Sequence, residues 1–144
     1  MDVKYKKIGK FIVIDGSDGA GKTTMAKMLV EFLKAKGLTV HHTREPGGTP
    51  FCENIRDSLL KINKPNNNFE SKSEQIDPDT ELLLMFAMRN QHLKSKIEPA
   101  LRNSEWVVCE RWTSSTFAYQ GVARGLGSEK VMKMDSEFVS QNQI

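Results

Sequence analysis

The residues Gly16-Ser17-Asp18-Gly19-Ala20-Gly21-Lys22-Thr23 meet the spacing G-x-x-x-x-G-K-[ST], and Thr24 follows them. Glycines at those positions let the backbone curl until successive N–H groups face a single anion. The N-terminus of a following helix adds the positive end of its dipole. Lys22 brings a point charge to β- and γ-phosphates, and the Thr23 hydroxyl suits Mg²⁺. A metal-bound triphosphate also needs an acid at the end of a second strand. Glu110 stands at the end of the apolar run Trp106-Val107-Val108-Cys109 and fits that role. Alone, a strand-end carboxylate says little; beside the phosphate loop it gains weight.

The loop requires a strand before it and a helix after it, and both are legible. Phe11-Ile12-Val13-Ile14 is a continuous apolar run, as a strand covered on both faces requires. From Lys22 to Lys36 the residues Met25, Met28, Leu29, Phe32 and Leu33 recur at helical spacing, and Gly37 marks a stop. Leu38 to His42 reads as a second strand, which completes a βαβ unit with parallel strands. A loop Arg44–Gly48 precedes a helix from Phe51 to Ile62. A polar surface loop spans Asn63 to Pro78. Asp79-Thr80 is expected to cap the helix carrying Leu82 through Leu93, with Pro99 interrupting or restarting it. Trp106–Cys109 is the third strand. Ser114–Gln120 and Glu129–Val139 are the last helices expected. The reading is one α/β domain over residues 1–144.

Composition narrows the classes. The net charge of +3 is mild and its basic residues are scattered, so nucleic acid is not the expected partner. Lys4, Lys6, Lys7 and Lys10 read as a solvated arm. Cys52 and Cys109 form no metal spacing, and a reduced, cytoplasmic protein is expected. No apolar run is long enough to span a bilayer, and Met1-Asp2-Val3-Lys4 opens no signal peptide. A guanine-nucleotide switch is disfavoured. Asn63-Lys64-Pro65-Asn66 has Asn where a guanine-reading Asp belongs, and it follows no apolar strand.

Arg44, Arg89 and Arg111 lie in apolar or glycine-rich surroundings. Planar guanidinium groups there suit bidentate phosphate contacts, as in phosphoryl transfer between two nucleotides. Four blocks make the pattern specific. They are Asp15 through Thr24, then Thr43-Arg44-Glu45-Pro46-Gly47-Gly48-Thr49, then Glu110-Arg111-Trp112, then Ala118-Tyr119-Gln120-Gly121. In order and separation they resemble thymidylate kinase, and the helix Glu81–Arg89 is similar to that family's monophosphate-binding helix. The resemblance runs from about Lys10 to Leu126.

It implies a three-layer α/β/α fold of the P-loop NTPase type with a parallel sheet. It also implies transfer of the γ-phosphoryl of ATP to dTMP with Mg²⁺, and a homodimer. By position, Lys22, Asp18, Arg111 and Glu110 would be catalytic. Residues Gly16 to Thr24 would bind ATP, and Thr23 and Glu110 would serve the metal. Asp18 would meet the deoxyribose 3′-hydroxyl, and Arg44 would support the acceptor site. Arg89 and Arg111 would hold the dTMP phosphate and base. Thr116 and Gln120 would border thymine, and Tyr119 would flank the sugar where a 2′-hydroxyl crowds it. Two positions depart from the family pattern. Glu110 stands where Asp is usual. Met85, with Phe86 beside it, stands where an aromatic ring stacks on the base. Members with Gly at the Gly19 position take a catalytic arginine from a lid that follows the region matched here. The resemblance therefore implies that the C-terminal strands and lid are missing after Ile144. Two alternatives follow: a weakly active nucleotide-binding fragment, or another nucleoside-monophosphate kinase.

Overall fold

The computed structural model describes residues 9–62 and 75–140. The expected basic arm up to Lys7, most of the polar segment Asn63–Pro78 and the final four residues lie outside them. Three parallel strands form one sheet: β1 (Phe11–Ile14), β2 (Val40–Arg44) and β3 (Trp106–Glu110), in the order β1-β3-β2. β3 is central, with Val108 beside Ile12 on one side and His42 on the other. Its apolar sequence follows from burial on both faces: Val107, Val108 and Cys109 are fully buried.

Helix α1 (Lys22–Ala35) covers one face. Ala26, Val30 and Leu33 pack there with Val40 and Val108. The other face carries Val107 against Leu82 and Phe86 of α3 (Pro78–His92). α2 (Pro50–Ile62) joins α3 through Cys52, Leu59 and Met88. These layers are the α/β/α arrangement expected from the sequence.

Several boundaries differ from the sequence reading. The second strand runs two residues later than Leu38–His42, because Gly37 and the half-buried Leu38 still close the end of α1. Asp77, not Asp79-Thr80, caps α3. Its Oδ1 accepts from Asp79 N at 2.9 Å and Thr80 N at 3.4 Å, with Pro78 at the first helical position. At Pro99 the restart expected from the sequence is what occurs: α3 passes through a π-helical stretch (Leu93–Ile97) into α4 (Glu98–Arg102), with Pro99 in its first turn. After β3 come α5 (Thr113–Thr116), a π-helical stretch (Phe117–Ala123) and α6 (Ser128–Asp135). The widened turn carries Tyr119 and Gln120.

Candidate active site

The loop between β1 and α1 closes as its spacing requires. Gly21 holds φ +84° at the N-cap of α1, a left-handed conformation that few side chains accept. Lys22 Nζ folds back over the loop and donates to Gly16 O at 2.9 Å and Ser17 O at 2.5 Å. An ammonium resting on loop carbonyls is weakly held, and incoming phosphate oxygens are stronger acceptors for it.

Thr23 and Glu110 come from opposite ends of the sequence and meet here. The Thr23 hydroxyl donates to Glu110 Oε2 at 2.6 Å, and His42 Nε2 contacts Glu110 Oε1 at 2.8 Å. A hydroxyl and a carboxylate at a helix N-terminus are hard oxygen donors, the set that Mg²⁺ favours beside phosphate. No cluster of three or more His, Cys, Asp or Glu suited to a metal occurs among the described residues. A magnesium ion here would therefore take further oxygens from the nucleotide and water.

Beside the loop opens a cleft of about 530 Å³. It is lined by Asp18, Met85, Arg89, Arg111, Thr116, Tyr119 and Gln120, all expected from the sequence, and by Glu45, Arg56, Glu81, Trp112 and Arg124. Arg111 sits at φ +68°, a conformation costing on the order of 1–3 kcal/mol for a residue with a side chain. Both its backbone and its side chain are held there. Its N–H donates to Ile14 O at 2.9 Å, and its guanidinium pairs with Asp18 and donates to Ser115 Oγ at 2.9 Å. The same guanidinium lies 5.4 Å from the Tyr119 ring, and Tyr119 Oη donates to Asp18 at 3.1 Å. That hydroxyl, with the Arg111 charge, holds Asp18 below its ordinary carboxylate range. Burial opposes ionisation of Asp15, yet the Ser114 and Ser115 hydroxyls and the Gly16 N–H outweigh it and lower its pKa.

The cleft floor is a buried polar network. Arg89 Nε donates to Glu45 Oε2 at 2.5 Å, and Arg89 Nη2 to Thr116 Oγ1 at 2.9 Å. His92, fully buried, joins Glu45 Oε1 at 3.2 Å through Nδ1 and Thr43 Oγ1 at 2.8 Å through Nε2. Gly48 packs on that ring so closely that a Cβ would lie 2.4 Å from Nε2. Arg89 Nη1 alone has no partner; among the described residues it is the one buried side-chain polar atom left unsatisfied. Rings of Phe86 and Trp112 lie 5.1 and 5.3 Å from its Cζ.

Two expected residues sit elsewhere. Phe86 is buried in the core beneath Arg89, so only Met85 of that pair reaches the cleft. Arg44 pairs with Glu53 at 3.1 Å and lines a separate pocket with Thr23, His42 and Glu110. Near the cleft its place is taken by Arg56, which donates to Pro46 O at 2.7 Å. Arg56 carried no motif in the sequence. Its signal was its position on the helix just after the Arg-Glu-Pro-Gly-Gly block.

The family model described as Thymidylate kinase matches residues 14–142. The chain belongs to the thymidylate kinase family. Thymidylate kinase of Alcanivorax borkumensis is 47% identical over 128 residues, covering 89% of this chain and 57% of that protein. The Chromohalobacter salexigens protein is 44% identical over the same length, again with 57% of it covered. The crystal structure of thymidylate kinase from Ehrlichia chaffeensis superposes with a TM-score of 0.78 at 35% identity, covering 91% of this chain and 69% of that one. The chain thus spans a little over half the length of these curated relatives of the thymidylate kinase family.

Proposed function

We propose that this chain carries the donor loop and acceptor cleft of an enzyme that moves the γ-phosphoryl of ATP to dTMP, giving ADP and dTDP. The observation that carries the reading is Arg89. It is a buried guanidinium in the cleft floor, fixed by Glu45 and Thr116, with its Nη1 amino group still open as a donor. A base carbonyl at the cleft floor would satisfy that donor. Arg111, paired with Asp18 of the phosphate loop, and Arg56 line the same cleft and suit the acceptor phosphate. Tyr119, half exposed beside Asp18, suits the sugar, and its family counterpart implies that it would crowd a 2′-hydroxyl.

Phosphoryl transfer gains most from positioning and charge. The loop N–H groups and Lys22 would hold the triphosphate, and Asp18 would orient the acceptor through its sugar. Thr23 and Glu110 would hold Mg²⁺, which neutralises phosphate charge when bound. A homodimer and a cytoplasmic setting belong to the same proposal. Leu83, 57% exposed on α3, is an apolar residue that pairing would cover.

The test is to incubate the chain with ATP, Mg²⁺ and each of dTMP, dUMP, dCMP, dGMP and AMP, following ADP release. Release confined to dTMP, with less from dUMP, is expected. Equal release with every acceptor, or none above ATP hydrolysis, contradicts the proposal for this chain.

A further inference from the structure

We infer that His42 is a positioning residue for Glu110: by holding one carboxylate oxygen it turns the other toward Thr23 and the divalent ion of a bound triphosphate. The inference rests on the nucleotide reading above. Strand geometry puts the three groups on one side of the sheet. Val40 and Val108 pack under α1, and side chains alternate along a strand, so His42 and Glu110, two residues further on each, face α1 as well. Thr23 stands in the first turn of that helix. The chain His42 Nε2, Glu110 Oε1, Glu110 Oε2, Thr23 Oγ1 is closed by contacts of 2.8 and 2.6 Å.

A carboxylate only accepts, so the His42 nitrogen facing it carries the hydrogen. The two cations that share this pocket are turned elsewhere. Arg44 pairs with Glu53, and Lys96 donates to Gly48 O at 3.0 Å. Glu has one more rotatable bond than Asp and reaches about 1.5 Å further, the length of one C–C bond. That extra bond lets the carboxylate swing away from Thr23 unless something fixes it. His42 supplies the fixing contact. An aspartate at the same position would fall short of the imidazole by more than a hydrogen bond tolerates. Residues that orient metal-binding groups in this way typically change metal affinity tenfold or more when removed.

The test measures ATP affinity by calorimetry on the whole chain, with and without Mg²⁺, for the unaltered protein, His42→Phe, His42→Gln, Glu110→Asp and the His42→Phe/Glu110→Asp double variant. His42→Phe should cut the Mg²⁺-dependent gain in affinity roughly tenfold. Metal-free affinity and melting temperature should stay as they were. His42→Gln, which keeps a donor, should restore most of the gain. Beside Glu110→Asp, His42→Phe should cost nothing further. An unchanged Mg²⁺ gain in His42→Phe overturns the inference. So does an equal loss in both backgrounds, or a loss of metal-free binding. If His42→Phe does not fold, His42→Leu makes the same comparison. No ATP binding by the unaltered chain, with or without Mg²⁺, removes the nucleotide reading itself; ATP binding with no Mg²⁺ gain leaves that reading standing and overturns the role of His42.

Discussion

The loop Gly16–Thr23 and the cleft around Arg89 lie side by side but are built in opposite ways. The loop is a local object. Eight consecutive residues supply its backbone donors and its lysine, and it stays open to solvent with Lys22 resting on its own carbonyls. The cleft floor is a long-range object. Glu45, Arg89 and His92, and Thr116 come from three separate segments, the loop after β2, α3 and α5, and are almost wholly buried. A locally built site can lose a side chain and keep its shape. A buried ionic network cannot, because each group's desolvation is offset only by its partners.

The largest expected effect follows from that difference. Arg89→Met leaves Glu45 buried beside His92 alone, and removing one partner of such a pair costs about 3–5 kcal/mol. Urea denaturation should show it. A loss below about 1 kcal/mol would mean that the network is not structurally binding. Lys22→Met should behave in the reverse way. Stability should change little, while ATP affinity falls by about 10- to 100-fold, the range of one charged hydrogen bond. Calorimetric titration with ATP reads this directly. Equal affinity in the variant would take the triphosphate away from the loop.

Smaller effects sharpen the border between the regions. Asp15 ties the loop to Ser114 and Ser115 and has a lowered pKa when folded. Its stabilisation is therefore complete above the ordinary carboxylate range and is lost as pH falls through the lower, folded value. The melting-temperature gap between the native chain and Asp15→Asn should be constant from pH 8 to about pH 5 and close below about pH 4. A gap independent of pH would deny the shift. Least of all should change on exposure to thiol reagents. Burial raises the pKa of Cys52 and Cys109, and both are inaccessible, so neither should react until the chain unfolds. Fast labelling of either in the native protein would contradict that packing.

The same contrast explains what the sequence could reveal. The loop, β1 and α1 were legible because spacing and periodicity report local structure, and Thr23 and Glu110, each singled out at the end of its own element, do meet by a hydrogen bond. Met85, Thr116, Tyr119 and Gln120 were found through block order rather than by their own chemistry. Glu45 and His92 were not singled out as a network, since nothing local says that residues 47 apart will share a hydrogen bond. Arg44 lines another pocket and Arg56, not singled out in the sequence, lines the cleft for a related reason. Alternation along β2 directs Arg44 toward Glu53, and only the helix orientation of α2 brings Arg56 to the cleft. Phe86 was drawn into the core because Leu82, one turn earlier, already faces inward.

The central claim is that the cleft around Arg89 is prebuilt for dTMP, whatever the rate of transfer. Calorimetric titration of the unaltered chain with dTMP, its ribose counterpart and dCMP tests it without requiring turnover. The account predicts saturable binding of dTMP, with the ribonucleotide weakened by Tyr119 and dCMP weakened at the base. Equal affinity for all three, or no binding of dTMP, would contradict it.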